Sequence, residues 1–97
     1  MAPQGLGTFE LCYIRDKEKP EADFLVVRDG NPWFLVEVKL SDTRLSSSLD
    51  LFQRQTRARH AFQLVMGADY VDHDCFTHSA PIVVPARTFL SQLLQHE

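Results

Sequence analysis

The chain has 97 residues, of which 44% are hydrophobic and 24% charged, and its formal net charge is −3. This length predicts one domain over residues 1–97 and excludes a second core, and the composition is typical of a folded protein. The acidic balance means that any nucleic-acid contact must come from a local basic patch. No apolar run is long enough to span a membrane, and no export signal or paired cysteine pattern is evident, so we expect a cytoplasmic protein with reduced thiols.

Three strands are predicted in the first forty residues, after a lead-in at residues 1–8. They cover residues 9–16, 22–28 and 33–40. The segment Asp29-Gly30-Asn31-Pro32 is a strong turn signal, so the second and third strands should form an antiparallel hairpin. The numbers of residues that oppose each other across this hairpin should sum to about 60 to 62.

A helix and a fourth strand are predicted next. Leu45, Leu49 and Phe52 recur at helical spacing, which predicts a helix over residues 46–59. The apolar residues 61–66 predict a strand. A helix between two strands indicates a right-handed crossover, which would place the fourth strand beside the third and pack the leucine stripe onto the sheet.

The chain is predicted to close with a short strand at residues 81–85, where flanking prolines limit pairing, and a helix at residues 88–95. The apolar residues that this helix should bury are Phe89, Leu90, Leu93 and Leu94. The predicted fold class is therefore α/β (α+β), a mixed sheet with a three-strand antiparallel meander, a crossover helix, a fourth strand, and a C-terminal strand and helix.

Glu37 and Lys39 lie at the end of an apolar run at residues 33–36. Strand alternation places both charges on one face and Val36 and Val38 on the other. Buried charges cost several kcal/mol each unless they are paired or bind a metal, so this placement indicates a site. From periodicity alone, the two residues also fit a cross-strand ion pair on an open antiparallel face.

Asp23 is the expected partner of this pair, because the hairpin register puts it opposite residues 37–39. Two carboxylates and an ammonium would then converge. Carboxylate oxygens suit a hard divalent cation, and a nearby lysine can stabilise charge or orient an attacking water. This combination is the outline of a site for phosphodiester hydrolysis.

Asp23 followed by Glu37-Val38-Lys39 resembles the PD-(D/E)xK signature of the restriction-endonuclease-like nuclease superfamily. Together with the segments at residues 13–17 and 21–24, this motif looks like the C-terminal domain of unknown function of many prokaryotic AAA-type ATPases, over roughly residues 9–94. The resemblance implies a restriction-endonuclease-like mixed sheet flanked by helices. It also implies that Asp23, Glu37 and Lys39 are the catalytic residues.

The same resemblance implies a bound Mg²⁺ or Mn²⁺, held by Asp23 and Glu37 with Glu21 as a further ligand. Glu21 equally fits a solvent-exposed acid beside a turn. Two features depart from the superfamily pattern. Ala22 stands where the motif has proline, and the N-terminal core helix of the superfamily is expected to be missing.

The predicted helix carries candidate nucleic-acid contacts in Arg54 and Arg57, with Gln53 beside them. Arginines on one helix face can contact the phosphate backbone. The alternative is an ordinary solvated helix face.

Three functions remain open. The first is a magnesium-dependent nuclease acting on DNA. The second is a non-catalytic, nuclease-derived interaction or nucleic-acid-binding module that serves an AAA-type ATPase, either as a separate partner or as a missing upstream domain. The third is a structural remnant in which the charged residues form an ion-pair cluster. The partners considered are therefore DNA, an ATPase and a second copy of the chain.

Overall fold

The computed structural model describes residues 9–14 and 23–93. The elements in chain order are β1 (Phe9–Ile14), β2 (Asp23–Arg28), β3 (Asn31–Lys39), α1 (Ser47–Thr56), β4 (His60–Val65), β5 (Ile82–Pro85) and α2 (Ala86–Leu93), with a 3-10 turn at Cys75–Thr77 before β5. The strands lie in one sheet in the order β1-β2-β3-β4-β5. The first three strands are antiparallel, β4 is parallel to β3, and β5 is parallel to β4. The predicted mixed α+β class is confirmed.

The hairpin between β2 and β3 closes with a two-residue turn, shorter than predicted because Asn31 already belongs to β3. Asp29 and Gly30 both have positive φ angles, 52° and 80°, as the type I′ turns of tight hairpins require. The register then shifts, since Val27 pairs with Pro32 but Val26 pairs with Phe34. Trp33 is therefore the extra residue of a β-bulge.

One face of the sheet packs against α2 and the 3-10 turn. Its centre is aromatic: the ring centroid of Phe89 on α2 lies 5.4 Å from that of Phe34 and 4.8 Å from that of Phe62. Phe76, from the 3-10 turn, lies 5.2 Å from Phe62 in an edge-on arrangement. These contacts bury the side of β3 and β4 that faces away from the charged residues.

The other face packs against α1. Leu49 is buried there together with Leu35, Ala58 and Ala61, and Phe52 is partly buried beside them. Strand alternation places Glu37 on this face, because it follows Leu35 by two residues. The helix that connects the parallel strands β3 and β4 therefore covers the charged face.

The structure differs from the predicted helix bounds and buried residues in several details. α1 ends at Thr56 rather than residue 59, because Arg57 has a φ of 59° and caps the helix in the left-handed conformation. Leu45 precedes the helix and is 47% exposed. Leu90 is 57% exposed, because Ala86 and Phe89 set the buried stripe of α2 and Leu90 falls beside it. Leu94 and residues 15–16 lie outside the described residues.

No helix in the described part of the chain is both long enough and apolar enough to cross a membrane.

Gly30→Ala should lower the free energy of unfolding by about 1 to 2 kcal/mol, because an alanine at positive φ is strained. No atom beyond the two neighbouring residues lies within 4 Å of the position that the added Cβ would take, so the cost comes from the backbone conformation. Urea unfolding measures the loss. Gly30→Asn is the control, since asparagine tolerates the left-handed region and should lose less. Equal stability of Gly30→Ala and the wild type would contradict the turn assignment.

Candidate functional site

Glu37 and Lys39 form an ion pair near the end of β3, in which the carboxylate is buried and the lysine side chain is partly buried. Glu37 is fully buried, the Lys39 side chain is 15% exposed, and Lys39 Nζ lies 3.2 Å from Glu37 Oε1. The pair lies on the face that α1 covers. It is therefore not an ion pair on an open, solvated sheet face.

Asp23 is directly opposite Glu37 in the antiparallel register of β2 and β3. Opposed residues of an antiparallel pair share a face, with Cβ atoms about 4.5 to 5.5 Å apart. The position of Asp23 is known from this backbone register. Glu21 lies outside the described residues. The hairpin thus brings position 23 to the Glu37–Lys39 pair, as the sequence predicted.

Gln63 is a further buried polar residue of this face, and the sequence pattern did not predict it as part of the site. It lies on β4, opposite Glu37 in the parallel register, and is fully buried. Its Oε1 accepts a hydrogen bond from the Ser46 backbone N–H at 2.8 Å. Its Nε2 donates to the backbone carbonyls of Arg44 at 2.7 Å and Asp42 at 3.2 Å.

These hydrogen bonds attach the loop at residues 42–46 to the sheet. The loop leads directly into α1, so Gln63 also fixes where the helix begins. The sequence carried a signal for this residue, because a glutamine inside the apolar run at residues 61–66 has the same need for a buried partner as Glu37.

A cavity of about 390 Å³ opens where β3 ends and α1 begins. The residues that line it are Lys39, Asp42, Arg44, Leu45, Ser46 and Ser47. Its lining has an excess of one positive charge. The first backbone N–H groups of a helix also favour anions, so this cavity suits a phosphate group.

Asp42 is the acidic residue of this opening, and it holds the neighbouring residue Arg44 in place. Its Oδ1 accepts a hydrogen bond from the Arg44 backbone N–H at 2.9 Å, and Arg44 Nε lies 3.6 Å away. The backbone hydrogen bond, with the adjacent Arg44 guanidinium, lowers the pKa of the Asp42 carboxyl. Asp42 therefore stays ionised at neutral pH and holds Arg44 at the rim.

The predicted nucleic-acid contacts on α1 are not brought to the charged pair. Gln53 Nε2 donates to the backbone carbonyls of Ala58 at 3.1 Å and Ser79 at 2.5 Å, which ties the end of α1 to the loop before β5. Arg54 pairs with Asp50 on the exposed side of the helix. Arg57 is exposed at the helix C-cap.

Glu37 supplies one carboxylate to the expected cation site. Among the described residues, no group of three or more His, Cys, Asp or Glu side chains is placed to hold a metal ion. Glu37 is nevertheless a buried carboxylate opposite the position of a second one, Asp23. Carboxylate oxygens are the ligands that Mg²⁺ and Mn²⁺ take, so the residues fit such an ion chemically.

Comparison of the chain with protein-family models, with curated proteins and with solved structures finds no match in any of the three. The likeness to PD-(D/E)xK nucleases therefore rests on the residue pattern itself.

Gln63→Glu should lower the free energy of unfolding by about 2 to 3 kcal/mol at pH 8, because a carboxylate cannot donate to the carbonyls of Asp42 and Arg44. Burial beside Glu37 raises the pKa of the introduced carboxyl above its unfolded value of about 4.3. The loss should therefore grow as the pH rises above that value and shrink below it. Urea unfolding of variant and wild type at pH 4.5 and pH 8 measures this difference.

Gln55→Glu, the same substitution at an exposed position of α1, is the matched control. It should change the stability by less than about 0.5 kcal/mol at either pH. A Gln63→Glu protein as stable as this control would contradict the anchoring role of Gln63.

Proposed function

We propose that this chain is a metal-dependent DNA endonuclease-like domain of the PD-(D/E)xK type, acting in the cytoplasm, with Asp23, Glu37 and Lys39 as its hydrolytic residues. The observation that supports this most is the fully buried Glu37, with Lys39 Nζ 3.2 Å away and Asp23 opposite it in the register. A buried ion pair adds little to stability compared with apolar residues of similar size. Its presence in a small core is better explained by chemistry.

Asp23 and Glu37 would hold Mg²⁺ or Mn²⁺, with Glu21 as a further ligand. Such an ion polarises a phosphoryl oxygen and lowers the pKa of a bound water. The carboxylate of Glu37 is shielded from solvent, which strengthens its attraction for a cation. Lys39 keeps this negative charge compensated when no cation is present.

Lys39 connects the carboxylates to the cavity at the end of β3. Its ammonium contacts Glu37, and its side chain also lines the 390 Å³ opening. A phosphate in that opening would therefore meet the lysine charge on one side and the start of α1 on the other. In this position Lys39 stabilises the negative charge that develops on the phosphate during hydrolysis.

The second candidate is a non-catalytic interaction or nucleic-acid-binding module of an AAA-type ATPase system. Exposed apolar side chains at the same end of the sheet favour it: Leu40 is 78% exposed, Leu45 47% and Met66 50%. The backbone N–H of Met66 donates to the Lys39 carbonyl, so this apolar group borders the proposed site. Such side chains could contact a protein partner, whether an ATPase or a second copy of the chain.

Lys39→Ala should lower the rate of DNA cleavage in Mg²⁺ or Mn²⁺ by at least about 10²-fold, because the lysine acts on the phosphate. Metal binding should be largely kept. Asp23→Ala should lose both cleavage and metal binding. Plasmid nicking and calorimetric titration with Mn²⁺ measure the two properties, and Arg87→Ala, which removes a remote exposed cation, is the control. If the wild-type chain neither binds metal at millimolar concentration nor cuts DNA, the nuclease proposal is wrong and the second candidate, the non-catalytic module, is favoured.

Asp23→Asn should raise the free energy of unfolding in EDTA, because two carboxylates assembled for an absent metal repel each other. A purely structural ion-pair cluster predicts the opposite, since the substitution would remove a favourable charge. Thermal unfolding in EDTA separates the two. Glu10→Gln, which removes one exposed carboxylate from β1, controls for the change in net charge.

A further inference from the structure

A second opening lies at the other end of β3, beside the hairpin turn. It has a volume of about 270 Å³. The residues that line this opening, called the hairpin pocket below, are Arg28, Asp29, Asn31, Pro32, Trp33 and Arg59. It is separate from the cavity that Lys39 lines.

The β-bulge builds one wall of the hairpin pocket. As the extra residue of the bulge, Trp33 turns its ring toward the aromatic core, where the centroid lies 5.6 Å from that of Phe76. The Arg28 guanidinium lies 5.1 Å from the Trp33 ring centroid and 5.8 Å from that of Phe9. These cation–π contacts hold Arg28 in a defined position at the pocket.

Arg59 supplies the second guanidinium from a distant part of the chain. It is exposed and lies in the segment that joins α1 to β4, directly before His60. With Asp29 as the acidic residue of the lining, the hairpin pocket has an excess of one positive charge. This is a local basic patch on a chain whose net charge is −3.

The chemistry of the pocket favours a phosphate. A guanidinium presents a planar set of donors that matches the oxygens of a phosphate in two parallel hydrogen bonds. Trp33 is 8% exposed, so its ring is not available as a platform for stacking a base. The pocket is thus suited to a charged backbone group and not to base recognition.

We propose that the hairpin pocket binds a backbone phosphate of the DNA on which the Asp23–Glu37–Lys39 site acts, and this inference rests on the function proposed above. Trp33 and Lys39 are six residues apart on one strand, or about 20 Å. Successive phosphates of one DNA strand are separated by about 3.4 Å along the helix axis, so this distance corresponds to about six nucleotides.

Trp33 packs on the face of the sheet opposite Lys39. The phosphate contact would therefore be made through Arg59, which directly follows Ala58 of the α1-covered face. A short duplex is long enough to span the distance between the two openings.

Trp33 is the only tryptophan of the chain, so its fluorescence reports on the hairpin pocket. The full chain is titrated with a 16-base-pair duplex in EDTA, where binding is separated from cleavage. The wild type should show a change in Trp33 emission on binding. Arg59→Ala should weaken binding about tenfold and reduce the slope of log K against log salt concentration by about 1.

Arg87→Ala is the matched control. It removes the same charge from an exposed position of α2 near Asp69, so it should leave the affinity within about twofold of the wild type and the salt slope unchanged. Arg59→Lys should recover the salt slope, because the charge remains, but only part of the affinity. Because Arg59 is exposed, these variants should fold, and unfolding curves verify this.

The outcomes separate the hairpin pocket from the proposed nuclease. Cleavage that depends on Lys39, with equal DNA affinity in Arg59→Ala and Arg87→Ala, would overturn the pocket alone. DNA binding that depends on Arg59 and changes Trp33 emission, without any cleavage, would support the pocket while removing the nuclease. A wild-type chain that neither cuts nor binds DNA, or binds it with no change in Trp33 emission, would overturn the pocket.

Discussion

The β-bulge in the β2–β3 hairpin is the constraint on which both the opposition of Asp23 and Glu37 and the hairpin pocket depend. The pairing set by the turn, in which Arg28 opposes Asn31 and Val27 opposes Pro32, would put Asp23 opposite Val36 if it continued unchanged. A slip of one residue moves a side chain to the other face of the sheet. The extra residue, Trp33, restores the opposition of Asp23 and Glu37 and at the same time shapes the wall of the hairpin pocket.

Much of this arrangement could be predicted because it follows from local rules. The Asp29–Gly30 signal and the alternation along β3 gave the hairpin, its approximate register and the shared face of Glu37 and Lys39. The bulge could not be predicted, since either of two neighbouring registers satisfies the same turn signal. Gln63 was missed for a different reason: its role depends on the loop at residues 42–46, which lies about twenty positions earlier in the chain.

Gln63 and Glu37 show two different uses of a buried polar residue. They are neighbours on parallel strands and both are fully buried. The neutral amide of Gln63 forms hydrogen bonds with three backbone groups of one loop. An amide can anchor a loop in this way without the cost of desolvating a charge. The Glu37–Lys39 pair carries the larger desolvation cost of two charges, and replacing such a pair by apolar residues of similar volume often costs no stability. This contrast on one sheet face supports the proposal that the pair serves chemistry.

On the proposal that the chain binds DNA, its charge distribution limits how it would do so. A net charge of −3 gives no long-range attraction for a polyanion, so association must depend on contacts made at short range. Both basic openings lie at ends of β3, one at Lys39 and one at Arg28. A duplex that reaches only one of them would gain a single phosphate contact, which the repulsion from the net negative charge of the chain would oppose. Selectivity would then arise from the spacing between two phosphate sites on a rigid strand, and the overall charge would suppress binding to any surface that lacks that spacing.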